Sequence, residues 1–189
     1  MRRSTVFEFL NNRPELKGNK VDLRPRRIED AADDFRWRTD GELCQLDATI
    51  PLPYSYEEFT ERFSLELEFP GMTYSLAIDL PNGRHIGECS VFGFDSFNDK
   101  AEIGIMIGEK DCWGLGYGKD ALKTFLQHLF ECSSIKKLIL RTLDWNIRAQ
   151  KCFEHCGFHP CGIVVHGEYR FILMEAKREF IIGSANKLK

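Results

Sequence analysis

Hydrophobic positions along this chain recur with two different periods, and their order predicts a mixed sheet with helices on both sides. Ala101, Ile103, Ile105 and Ile107 alternate along one face of a strand over 101–108. Leu122, Phe125, Leu126, Leu129 and Phe130 then fall at i, i+3, i+4, i+7 and i+8, which predicts a core-facing helix over 120–131. Leu138-Ile139-Leu140 is a continuous apolar run, as expected of a strand covered on both faces. Asn146 opens another helix, with Ala149, Cys152, Phe153 and Cys156 on one stripe and Gly157 ending it.

Upstream, the spacing predicts a strand over 21–26, a helix over 29–40 and a proline-containing loop over 49–56. Ser55, followed by Glu57 and Glu58, reads as an N-cap for a helix that runs to about Phe69 and stops at Pro70-Gly71. Strands over 74–78 and 85–94 form a hairpin at Pro81-Asn82-Gly83, and strands over 163–165 and 169–174 form the last one, around Gly167. Residues 1–20 read as an irregular arm or short helix, 21–178 as one domain without repeat or linker, and 179–189 as a charged tail disordered at its end.

Composition narrows the function classes. The chain is 43% hydrophobic and 29% charged, the balance of a soluble globular domain. A net charge of −3 without a basic face argues against nucleic acid as a partner. No window approaches the ~18 apolar residues of a membrane span. The start, MRRSTVFEFLNNRPEL, is interrupted by Glu8, Asn11 and Asn12 and is no signal peptide, so a cytoplasmic protein is expected. Seven cysteines without a C-x-x-C pair argue against a disulfide framework. Cys152, Cys156 and Cys161 lie near His155, His159 and His166 in sequence, which raises zinc. Cys152 falls on an apolar helix face, however, so buried reduced thiols and no metal are expected.

The candidate chemistry sits at Trp113-Gly114-Leu115-Gly116-Tyr117-Gly118-Lys119, between a strand and a helix start. Glycines let backbone approach a ligand, and the first amides of a helix attract phosphate. A nucleoside-triphosphate loop needs Ser or Thr after the lysine, and Asp120 stands there. A dinucleotide fingerprint needs G-x-G-x-x-G in a repeated βαβ set, and the spacing here is G-x-G-x-G after hairpins. A plain turn needs no such run of glycines. The remaining reading, a coenzyme A pyrophosphate site, is the one that a family resemblance implies.

The segment AEIGIMIGEKDCWGLGYGKDALKTFLQHLF resembles the cofactor motif of the GNAT superfamily of N-acetyltransferases, Gln/Arg-x-x-Gly-x-Gly/Ala between a strand and a long helix. Gly116 and Gly118 match the small positions, and Trp113 stands where Gln or Arg is usual. LRTLDWNIRAQKCFEHCGF is similar to the family's Asn-x-x-Ala-x-x-x-Tyr-x-x-x-Gly-Phe element at Asn146, Ala149, Gly157 and Phe158, with Phe153 replacing the tyrosine. LRPRRIEDAADDF and PLPYSYEEFTERF resemble the subgroup of ribosomal-protein N-terminal and spermidine acetyltransferases.

The resemblance implies a GNAT-like fold, an α/β (α+β) mixed and mostly antiparallel central sheet with helices on both faces. It implies direct acetyl transfer from acetyl-CoA, with no metal, to a primary amine: a protein N-terminus, a polyamine or a small-molecule amine. It also admits a homodimer. The backbone of Ile105, Met106 and Ile107 would pair with the pantetheine arm, and the amides of Gly114, Leu115, Gly116, Tyr117, Gly118 and Lys119 would hold the pyrophosphate. Asn146 would bind the arm as well as cap its helix, with Ala149 and Phe153 beside it. The Met106 or Ile107 N–H would stabilise the thioester oxygen. Phe153 cannot protonate the leaving thiolate as the usual tyrosine would, which leaves water or another group. Glu102 and Glu88 are the candidate bases, though each reads more readily as an ordinary polar residue on a half-exposed strand face; Tyr169 and Asp144 are weaker candidates. The loop from Gly41 to Tyr56 and the hairpin at His166–Arg170 would frame the acceptor. Asp40, Glu42, Asp47, Glu57 and Glu58 suit a cation there or simply face solvent. The missing tyrosine also permits a catalytically weak CoA-binding regulatory module. A covalent route through Cys152 and His155 fails on geometry, because Cys152 is expected to face the core and leaves no exposed nucleophile.

Overall fold

The computed structural model describes residue 10 and residues 13–185. Its strands are β1 (Leu16–Lys17), β2 (Asp22–Pro25), β3 (Tyr74–Asp79), β4 (His85–Asp95), β5 (Lys100–Ile107), β6 (Lys137–Leu143), β7 (His159–His166) and β8 (Tyr169–Lys177). They form one sheet in the order β1-β2-β3-β4-β5-β6-β8-β7. Only β5 and β6 run parallel; every other neighbouring pair is antiparallel. The helices are α1 (Ala31–Thr39), α2 (Gly41–Leu46), α3 (Tyr56–Glu68), α4 (Tyr117–Cys132), α5 (Ile147–Glu154) and α6 (Arg178–Ala185).

The buried side chains form two clusters, one on the sheet and one between helices. Tyr74, Leu76 and Ile78 of β3 join Leu122, Phe125, Leu126 and Leu129 of α4 in the larger one, and the Tyr74 and Phe125 rings stack at 6.0 Å. Ala31 of α1 packs with Phe59 and Phe63 of α3 in a smaller cluster. The N-cap expected at Ser55 is present and forms a capping box: its hydroxyl accepts from Glu58 N–H, and the Glu58 carboxylate accepts from Ser55 N–H.

Four expectations need correction. Residues 41–46 form α2 rather than loop; Asp40 caps it, accepting from Glu42 and Leu43 N–H at 3.0 Å each. Residues 16–17 pair with β2 as a short strand where an irregular arm was expected. The start of the charged tail is helical through Ala185, and its last residues lie outside the described ones. β6 is fully covered on one face only, with Leu138 and Leu140 buried and Ile139 half-buried.

Two features of this frame shape the site. The pairing of β5 with β6 is confined to Lys100↔Lys137, Ala101↔Leu138 and Glu102↔Ile139. Beyond Glu102 the two strands part, and β5 keeps β4 alone as its ladder neighbour. At the end of β5, Gly108 lies against the buried Trp37 ring of α1, in space that any Cβ would fill. The Trp37 indole N–H donates to Glu109 at 2.9 Å. That contact seats α1, and with it Arg38 and α2, over the same end of β5.

Candidate active site

Where β5 parts from β6, it borders a cavity of about 520 Å³. Ile105, Met106 and Ile107 line one side, Asn146, Ala149, Cys152 and Phe153 another, and Gly114, Gly116, Tyr117, Gly118 and Lys119 its end. Gly114 and Gly116 have φ of 75° and 85°, left-handed values that side chains resist. The loop thereby enters α4 abruptly, and Asp120 N–H closes back onto Gly116 O at 3.0 Å. The amides before Asp120 are those a helix start offers to an anion. At Gly118 an added Cβ would stand 3.4 Å from the Ile107 side chain.

Asp120, an obstacle to phosphate in the sequence, is turned away from the loop. Its carboxylate accepts from Lys20 N–H at 2.7 Å, Val21 N–H at 3.2 Å and the Asn19 amide at 3.2 Å. This clamp carries Lys20 to the glycines, where its ammonium donates to Leu115 O at 2.9 Å. Leu115 itself is 52% exposed and contributes that carbonyl rather than a cavity wall. Trp113 donates its indole N–H to Ile107 O at 2.7 Å. The Arg148 guanidinium lies 3.7 Å from the centre of the Trp113 ring and also lines the cavity. The motif position that lacks a polar side chain thus gains a guanidinium from α5. Lys20 and Arg148 were absent from the sequence reading. Lys20 is far away in sequence; Arg148, two residues after Asn146, was a signal that could have been read.

A second cavity of about 330 Å³ lies on the other face of β5, lined by Arg38, Cys44, Thr49, Glu88, Ser90 and Phe92 among others. Leu43, Asp47, Ile105 and Met106 border both cavities. The two spaces therefore adjoin at the middle of β5.

The acids divide sharply. Glu88 lines the second cavity but is held by Arg38 at 2.7 Å and approached by Arg26 at 3.7 Å. Glu102 lines neither cavity; it is ion-paired with Arg141 at 2.8 Å. Asp40 and Glu42 both bind Lys110 at 2.8 Å, and Glu57 and Glu58 sit in the first turn of α3. Asp47, by contrast, has no ion pair within 4.0 Å among the described residues, although it borders both cavities. It follows α2, and Ala48 after it has φ of 52°, a conformation alanine rarely takes. Asp47 is solvent-exposed, yet the protein packed around it raises its carboxyl above the ordinary value, against the pull of Arg38 and with the push of Glu88. Behind the Glu88 pair, burial and Glu88 raise the Asp34 carboxyl to about 6 even though Arg26 contacts it at 2.6 Å.

Asn146 caps α5 as expected, its side-chain oxygen accepting from Ala149 N–H at 3.2 Å. Phe153 is buried against Phe158, with no titratable group of its own. Asp144 lies 3.7 Å from Arg170, and neither it nor Tyr169 lines a cavity. The hairpin at His166–Arg170 also lines neither. Cys152 departs from its expected core position: it is half-buried and borders the first cavity, while Cys132 and Cys161 are exposed rather than buried. Among the described residues no group of three or more His, Cys, Asp or Glu could hold a metal ion, and no helix is long and apolar enough to cross a membrane.

Known proteins share this fold. The family model for the acetyltransferase (GNAT) domain matches residues 20–159. A spermidine N-acetyltransferase from Vibrio cholerae, solved with CoA and spermine, superposes with a TM-score of 0.78 at 16% identity, covering 86% of this chain and 98% of that one. An aminoglycoside acetyltransferase in complex with coenzyme A gives a TM-score of 0.73 at 18% identity, covering 87% and 99%. An uncharacterized protein of Methanocaldococcus jannaschii is 37% identical over 75 residues, which are 40% of this chain and 15% of that relative.

Proposed function

Because the chain belongs to the GNAT acetyltransferase family, we propose that it transfers acetyl from acetyl-CoA directly to a primary amine, the two substrates meeting at Ile105–Met106. The observation that carries this reading is the junction of the two cavities at that point, with Asp47 on its wall. When bound, acetyl-CoA supplies an acetyl group activated as a thioester.

The chain's own groups account for the remaining work. The amides of the glycine loop, with Lys20 and Arg148 beside them, suit the pyrophosphate. The open edge of β5 offers backbone to a peptide-like arm, an added-strand contact. Gly108 N–H donates to Ile86 O at 2.9 Å, so alternation turns the Met106 N–H toward β4 and leaves that of Ile107 on the open side. The Trp113 bond to Ile107 O supports the same orientation. Of the two candidate donors to the thioester oxygen, the Ile107 N–H is therefore favoured.

An alkylamine with a pKa near ~10 arrives charged and must lose a proton. Asp47 is placed to attract the ammonium and to accept that proton. Glu88, neutralised by Arg38, is better suited to shaping the cavity. With Arg38 set against Glu88 and Asp47, this wall carries one negative charge in excess. That balance favours a compact amine with a single charge over an extended polycation. Water protonates the departing thiolate, since Phe153 has no proton to give.

The test is release of free CoA thiol with single-charge amines, short peptides, polyamines and aminoglycosides. Turnover fastest with a single-charge amine is expected. Tight coenzyme A binding without turnover on any acceptor would instead favour a regulatory module.

A further inference from the structure

The lysine that reaches the glycine loop from far along the chain is held there by several contacts. Gly18, Asn19, Lys20 and Val21 turn the chain between β1 and β2, and Gly18 N–H donates to Val21 O at 2.8 Å. Any Cβ on Gly18 would run into Val21 O and the Asp120 carboxylate. That carboxylate, buried in the first turn of α4, accepts from the Asn19 amide and from the N–H groups of Lys20 and Val21. The turn is thereby fixed to the helix that the glycine loop opens, with the exposed Lys20 side chain at the loop.

Lys20 borders neither cavity, whereas Arg148 borders the first. The Lys20 ammonium donates to Leu115 O at 2.9 Å. Leu115 stands outside the cavity wall, and Gly116 is part of it. The carbonyl and the N–H of one trans peptide point in opposite directions. Leu115 O drawn outward to Lys20 therefore turns the Gly116 N–H inward, toward the cavity. Among the described residues that N–H donates to no acceptor.

Backbone preference alone does not fix this orientation. Gly116 has φ of 85° and ψ of 5°, values found at the third position of a type II turn. Flipping the peptide before it gives the type I form, with φ of about −90° at the same residue. Glycine accepts both conformations. In the flipped form a carbonyl oxygen would face the cavity and repel an anion.

We propose that Lys20 is a positioning residue for cofactor binding. By holding Leu115 O it keeps the Gly116 N–H aimed at the anionic part of coenzyme A, and Asp120 holds Lys20 in place. This rests on reading the first cavity as the coenzyme A site. The contribution of Lys20 passes through the peptide, so another donor of similar reach serves in its place.

Nuclear magnetic resonance titrations with coenzyme A and with pantetheine, which lacks the pyrophosphate, test this. Lys20→Met should bind coenzyme A about fivefold more weakly, and pantetheine within about twofold of the parent. Lys20→Arg, which keeps a donor, should restore most of the affinity. Asp120→Asn, which loses one acceptor of the clamp, should fall between Lys20→Met and the parent. In the parent and in Lys20→Arg the Gly116 amide proton should move downfield on addition of coenzyme A, as on bonding to an anionic oxygen. In Lys20→Met that shift should be lost. Unchanged coenzyme A affinity in Lys20→Met overturns the proposal. So does an equal loss for pantetheine, which a general loosening of the fold would give. So does a retained Gly116 shift, which would leave Lys20 a plain charge. A parent protein that binds no coenzyme A overturns the cofactor reading itself.

Discussion

The two cavities that meet at the middle of β5 are built by different means. The larger is mostly a backbone device: a parted pair of strands, two left-handed glycines and a helix start. The smaller is a side-chain device, assembled from α1, α2, the segment after α2, β4 and β5. Backbone demands leave a local trace, because only glycine tolerates the φ values at 114 and 116. Side-chain cavities leave no such trace, because each wall residue is unremarkable within its own segment.

The largest effect expected is on the backbone cavity. Gly116→Val forces a β-branched residue to φ of 85° and misdirects the loop amides. Coenzyme A affinity should fall roughly 100-fold, with the far-UV circular dichroism spectrum retained. Unchanged affinity would mean the loop binds nothing.

The side-chain cavity should break next, at Asp47. Asp47→Asn should lower kcat/KM about 10²–10³-fold while leaving coenzyme A affinity within about threefold. The acid limb of the pH profile should vanish with it. The sign follows from the raised carboxyl: activity needs the ionised form and is lost as pH falls through the elevated value. Asp47→Glu should restore part of the rate. An intact acid limb in Asp47→Asn would return the role to Glu88 or to water.

Arg148→Ala sharpens the contrast by removing the cation stacked on Trp113. Coenzyme A should bind about five- to tenfold more weakly, with acceptor KM unmoved. The smallest effect belongs to Glu102→Gln, which loses an ion pair to Arg141 outside both cavities. Its kcat/KM should stay within about twofold of the parent.

The same contrast explains what the sequence could convey. The period-two run at 101–107, the helix stripe beginning at Leu122 and the Ser55 cap were legible because each is a local pattern. The glycine loop and Asn146 were legible for the same reason. The six-residue α2 was not, since it is too short to show a period, although Asp40 supplied a cap signal. Glu102 looked suitable on strand alternation alone, and only the partner Arg141 on β6 showed it engaged elsewhere. Asp47 looked like one of several surface acids. It became distinct once Lys110 had claimed Asp40 and Glu42, and once α2 had turned its own position toward β5. Cys152 was misjudged because an apolar helix stripe does not tell a core from a cavity wall.

Initial rates over a grid of acetyl-CoA and acceptor concentrations test the meeting of the two cavities most directly. Direct transfer requires both substrates to be bound at once, and double-reciprocal plots should give lines that intersect. Parallel lines, with a burst of thiol release before acceptor is added, would place an acetylated protein on the path and contradict the account.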